Sequence, residues 1–126
     1  MNIMMVGTGP VAERMVEAVS GISAVERVAW VPSGEAALDT YRNLDPDLIL
    51  MDIIQEGMTG IESARAIREQ DDKVRIVLVS ESFNLEFLIV AHESGLDGYL
   101  VRSYDPDVLK HVLADVGRGQ FLLFSD

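Results

Sequence analysis

DLILMDI, residues 47–53, is the stretch on which the fold turns. Leu48, Ile49, Leu50 and Met51 form an unbroken apolar run, the pattern of a strand covered on both faces, as in a parallel sheet. The run ends in a carboxylate, Asp52. The first apolar run, IMMVGTGP at 3–10, has the same build but ends in Gly7 and Thr8. An acid therefore stands at the end of one such run and none stands at the end of the other.

Outward from Asp52, apolar runs at 3–6, 25–31, 48–52, 74–79 and 98–101 alternate with amphipathic stretches of helical spacing. Val11, Met15, Val16 and Val19 share a face opposite Glu13, Arg14 and Glu17. Ser33 is a good N-cap for the helix bearing Ala36, Ala37, Leu38 and Tyr41. Thr59 and Glu62 form a capping box ahead of Ile61, Ala64 and Ile67. Ser82 or Asn84 opens a helix with Leu85, Leu88, Ile89 and His92. Asp105-Pro106 supplies an N-cap and an N1 proline before Val108, Leu109, Val112 and Leu113. The pattern is (βα) five times over. It predicts an α/β flavodoxin-like doubly wound sandwich with a five-stranded parallel sheet of order 2-1-3-4-5. The domain is expected over 1–117. A tail at 118–126, holding Phe121, Leu122, Leu123 and Phe124, either docks on the domain or begins a linker to an effector domain.

A chain of 126 residues with 48% hydrophobic content suits one domain with a full core. The absence of Cys removes disulfides, thiolate nucleophiles and Cys-ligated metals from consideration. The two His residues, His92 and His111, have no ligand spacing around them. The net charge of −11 should repel nucleic acid and anionic membrane, so any action on DNA needs another segment; the same acidity also serves solubility. The N-terminus lacks the basic region of a signal peptide. No apolar run approaches the roughly 20 residues that span a bilayer, and the expected address is the cytoplasm.

In such a sheet, ligands bind beyond the carboxyl ends of the strands where the strand order switches. Gly7, Thr8, Asp52, Ser80, Glu81 and Arg102 are delivered there. An acid, a hydroxyl and a guanidinium converging on one crevice could handle an anion. Alternatively, Asp52 and Arg102 form a salt bridge that satisfies two partly buried charges. Trp30, ending the second strand, reads as a packing residue.

The chain resembles the receiver domain of two-component response regulators over nearly its whole length. The resemblance rests on DLILMDI with Asp52, on Met58-Thr59-Gly60-Ile61-Glu62, on Ile76-Val77-Leu78-Val79-Ser80, and on the stretch from Gly95 to Arg102. The stretches PSGEAAL and VGRGQFLLFSD are similar to the LuxR/NarL-type subgroup, in which a linker and a helix-turn-helix DNA-binding domain follow. The resemblance implies that Asp52 accepts a phosphoryl group from a sensor histidine kinase or a small donor. Mg²⁺ would be held by Asp52, by an acidic pair after strand one and by the backbone carbonyl of Ile54. Ser80 is the switch hydroxyl and Tyr99 the switch aromatic, which follows the hydroxyl inward. The face of helix four, strand five and helix five then pairs with a like subunit or binds targets.

Several positions depart from that pattern. Gly7 and Thr8 replace the acidic pair, so Mg²⁺ binding should be weak or absent. Arg102 replaces the lysine, and a planar guanidinium can clamp a carboxylate where an ammonium cannot. Ser103 and Glu56 replace prolines, and Glu81 replaces a small residue. Glu56 and Glu81 are either substitute ligands or solvated loop acids. Asp52 is either still phosphorylated with a rearranged metal site, or held by Arg102 in a receiver that works without phosphate. Tyr99 and Tyr104 are switch aromatics or packing residues.

A rival reading comes from Gly7-Thr8-Gly9-Pro10-Val11-Ala12, which fits the G-x-G-x-x-A form of a dinucleotide-binding turn. Against it, the second strand ends in Trp30-Val31-Pro32-Ser33, without an acid for a ribose, and Pro10 removes an amide.

Overall fold

The computed structural model describes residues 1–55, 59–101 and 104–125. Eleven elements alternate strictly among them. They are β1 (Asn2–Val6), α1 (Pro10–Ser20), β2 (Arg27–Val31), α2 (Gly34–Leu44), β3 (Leu48–Asp52), α3 (Gly60–Gln70), β4 (Arg75–Ser80), α4 (Leu85–Glu93), β5 (Gly98–Val101), α5 (Pro106–Asp115) and β6 (Leu122–Ser125). The sheet is parallel throughout, in the order β2-β1-β3-β4-β5-β6. The expected flavodoxin-like order 2-1-3-4-5 holds, and the sheet carries one strand more.

That sixth strand comes from the tail. Leu122 donates its amide to the carbonyl of Asp97 at 3.0 Å, and the pairing runs from Gly98–Leu122 to Val101–Ser125. Gly98 permits it, since a Cβ there would stand 2.8 Å from the Leu122 carbonyl oxygen. β6 thus pairs along β5 and takes its place as the edge strand of the sheet.

Helix starts follow side-chain chemistry. Ser33 accepts from the amide of Ala36, Thr59 from Glu62, Asn84 from Phe87 and Asp105 from Asp107. Of the two candidates before α4, Asn84 is the cap.

The central strands β1, β3 and β4 are buried almost end to end, as their apolar runs require. Their side chains alternate between two cores. One holds Ile49, Met51, Ile76, Leu78 and Tyr99 with residues of α2, α3 and α4. The other holds Leu48, Leu50, Val77, Val79 and Leu100 with Ala12, Met15 and Val19 of α1 and Leu109, Val112 and Leu113 of α5. α4 is the loosest layer. Only Ala91 is buried, while Leu85 and Ile89 are exposed. No described helix is long and apolar enough to cross a membrane.

Candidate functional site

Asp52 is the last residue of β3 and only 6% exposed. Its Oδ1 accepts the amide of Ile54 at 3.1 Å. Burial pushes its carboxyl above the ordinary range; the Ile54 N–H opposes this, and the charge of Glu81 adds to it. At Ile54 the contact is thus an N–H donated to Asp52, and the side chain is turned out to solvent.

Two glycines close on this aspartate. A Cβ at Gly7 would lie 2.8 Å from the Cβ of Asp52, and Gly7 has φ +142, a region L-residues rarely adopt. A Cβ at Gly60, the first residue of α3, would lie 2.0 Å from the Asp52 carbonyl oxygen. The third strand, the first loop and the third helix therefore meet through bare backbone.

Other contacts hold this arrangement. Trp30 donates its indole N–H to the Gly7 carbonyl at 2.8 Å and is about half exposed, so it braces the first loop instead of packing in a core. Gln55 donates to the carbonyl of Asp52 at 2.6 Å and accepts the amide of Gly34 at 2.7 Å, tying the start of α2 to the end of β3. No pattern in the sequence singles out Gln55, because its role depends on two carbonyl and amide positions distant in the chain.

Ser80 ends β4 at low exposure but is not turned to Asp52. Its hydroxyl donates to the carbonyl of Ser82 and accepts the amide of the same residue. Alternation explains this: Ser80 continues the row of Ile76 and Leu78, whereas Asp52 continues that of Leu48 and Leu50 on the opposite face. Tyr99 is fully buried. Its hydroxyl donates to Ser82 O and accepts from Asn84 N, both at 3.2 Å, and Phe83 stacks on its ring at 6.1 Å. Ser80 and Tyr99 thus share one acceptor, the Ser82 carbonyl. Arg102, Ser103, Glu56 and Met58 lie outside the described residues, so the Asp52–Arg102 pair is not seen here.

Glu81 accepts the hydroxyl of Tyr104 at 2.8 Å. The guanidinium of Arg14 sits 3.9 Å from the Tyr104 ring centroid. Burial, with the Glu81 bond second, pushes the Tyr104 hydroxyl up to about 12. His92 is exposed and edges onto Phe121 at 5.4 Å.

A five-helix flavodoxin-like domain with a buried carboxylate at the end of β3, a hydroxyl at the end of β4 and a tyrosine in β5 is the receiver architecture. The profile described as "Response regulator receiver domain" matches residues 3–114, and the chain belongs to that family. It is similar to the nitrate/nitrite response regulator protein NarL of Escherichia coli (strain K12), at 35% identity over 96 residues, covering 76% of this chain and 44% of the relative. Similarity to NarP of the same organism is 29% over 119 residues, covering 94% of this chain and 55% of NarP. A two-component response regulator of the LuxR family from Aurantimonas sp. SI85-9A1 superposes with a TM-score of 0.84 at 28% identity, covering 96% of this chain and 88% of that structure. The chain is a receiver domain of the NarL/LuxR type. It spans about half the length of the NarL and NarP relatives. Nothing in these likenesses supports the dinucleotide reading, and Asp52 against Gly7 puts a carboxylate where that turn would cradle a phosphate.

Receiver domains generally bind Mg²⁺ at the phosphorylation site. The described residues here do not fit that ion. Mg²⁺ demands several hard oxygens in near-octahedral array. Among the described residues no three His, Cys, Asp or Glu gather, and the position of the acidic pair holds backbone pressed onto Asp52.

Proposed function

We propose that this chain is a signalling receiver whose output does not depend on phosphoryl transfer to Asp52. The observation that carries the reading is the contact between Gly7 and Asp52: the loop that would bring metal-binding acids packs on the aspartate itself. The state of Tyr99 supports it. In the phosphate-driven switch, the aromatic moves inward after the hydroxyl. Here Tyr99 is held inward by two hydrogen bonds and Phe83, while the Ser80 hydroxyl is engaged with Ser82.

On this reading the domain is no enzyme and works in the cytoplasm. Its output surface is α4 with β6, where Phe83, Leu85, Ile89 and Leu123 are exposed, and it serves a like subunit. The tail's similarity to the LuxR/NarL-type subgroup, in which a linker and a helix-turn-helix domain follow, supports control of a DNA-binding domain that contacts DNA in place of this acidic domain. A sensor histidine kinase is a partner only if phosphorylation survives.

The test is an amide NMR titration with Mg²⁺ and then beryllofluoride, a phosphoryl mimic, with Asp52→Asn as control. No response at millimolar Mg²⁺ is expected. Shifts centred on Asp52, Ser80 and Tyr99 that vanish in the Asn variant would overturn the proposal.

A further inference from the structure

The side chain of Asp52 continues the row of Leu48 and Leu50, so it turns toward the layer of α1 and α5. Tyr104 stands on that side, in the connection from β5 to α5, packed against the same core cluster. Its hydroxyl reaches Glu81, the first residue beyond β4, and its ring carries the guanidinium of Arg14 from α1. The sheet order sets β3 between β1 and β4. α1 follows β1, so a chain of contacts from α1 through Tyr104 to the end of β4 spans the carboxyl end of β3. The charges report the same neighbourhood: Glu81 acts on Asp52, and Asp52 on Tyr104. An open surface groove of about 240 Å³, lined by Arg14, Glu17, Ala18 and Tyr104, adjoins the ring.

We propose that Arg14, Tyr104 and Glu81 form a closure over Asp52 that slows the entry of small reagents until the Tyr104 ring parts from Glu81. The closure deepens the phosphate-independent reading by naming what controls access to the same site. Tyr104 is a positioning residue here; its hydroxyl and ring hold a barrier and perform no chemistry.

The chain has no cysteine, so Asp52→Cys supplies a single thiol as an access probe. Its rate of modification by methyl methanethiosulfonate is measured at a mildly alkaline pH, below the range in which Tyr104 ionises, and divided by the thiolate fraction read from thiolate absorbance in the same variant. A separate protein carrying Ser23→Cys, an exposed thiol, is the control. Adding Tyr104→Ala should raise the rate of the Asp52→Cys protein at least tenfold and leave that of the Ser23→Cys protein unchanged. Tyr104→Phe and Arg14→Ala, each removing one contact and keeping the fold, should raise the rate at position 52 about threefold. Equal rates at position 52 across these variants would overturn the closure. Neither metal nor phosphoryl group enters this measurement. A beryllofluoride response at Asp52 would thus overturn the proposed function and leave the closure standing, and uniform thiol rates would do the reverse.

Discussion

Gly7 and Asp52 touch across the switch point of the sheet: a Cβ on the first would lie 2.8 Å from the Cβ of the second. The missing acid is therefore more than a substitution at a solvent-facing loop. The loop occupies the space beside the aspartate, at a backbone angle of φ +142 that suits glycine.

Restoring the acid should accordingly fail. Gly7→Asp is expected to destabilise the domain by about 2–4 kcal/mol, from overpacking and backbone strain together. It should bring no Mg²⁺ affinity with it. Urea unfolding and Mg²⁺ titration on the same variant check both halves. Gly60→Ala, whose Cβ would stand 2.0 Å from the Asp52 carbonyl oxygen, should be at least as damaging.

Asp52 is buried with its carboxyl raised above the ordinary range, so its ionised form opposes folding. The unfolded chain gives up the proton first as pH rises, and stability falls between the ordinary carboxylate value and the raised one. Asp52→Asn should therefore stabilise the domain at pH 7, by about 1 kcal/mol. The gain should shrink as pH falls below the ordinary carboxylate range, where both states hold the proton. Thermal melts of both proteins from pH 3 to pH 7 measure it; a destabilised Asn variant at pH 7 would contradict the assignment.

Tyr104 is raised to about 12. Its neutral hydroxyl supports the fold, fully so below the ordinary tyrosine value near 10. That contribution is lost as pH rises toward 12, because the unfolded chain ionises first. Burial raises Tyr41 as well, so phenolate absorbance should show two late-titrating tyrosines, and Tyr104→Phe should remove one of them.

Trp30 is the single tryptophan. Its bond to the Gly7 carbonyl makes its fluorescence a reporter of the first loop. Trp30→Phe should lose about 1 kcal/mol, the net worth of one such bond, seen as a lower urea midpoint.

Asp97 lies just before β5, at the amino ends of the strands, far from Asp52 along the sheet. It accepts Arg68 at 2.7 Å and the Ile76 amide at 2.8 Å, with Arg75 at 3.6 Å. Asp97→Ala removes the carboxylate from a largely buried guanidinium, leaving it the Asp71 and Val74 carbonyls, and strands the Ile76 amide; it should cost about 3 kcal/mol. Added to the Asp52→Cys protein, it should leave the thiol rate unchanged, separating stability from access.

The alternation of apolar runs and helical faces determined which elements form, because period and burial are local properties of the chain; the doubly wound order was expected from the general rules for parallel βα units. The caps at Ser33, Thr59 and Asp105 were equally legible, since each acts on an amide within three residues. Asp52 and Ser80 could be placed at strand ends for the same reason, whereas the switch roles expected of Ser80 and Tyr99 came from the resemblance to receiver domains. Their relationships could not be read in this way. That Ser80 faces its own loop depends on which core each strand position meets. That Gly7 lies on Asp52 depends on the approach of β1 to β3, 45 residues apart in register from Ile3–Leu48 to Val6–Met51. The tail carried an apolar signal with no direction. It became β6 only because Gly98 lets a backbone come within contact of β5. Gln55, Trp30 and the Arg14–Tyr104–Glu81 chain left no trace in spacing, because each joins groups that only the folded sheet brings within reach. Local chemistry thus decided which elements form and where the acid sits, while long-range packing decided what surrounds that acid.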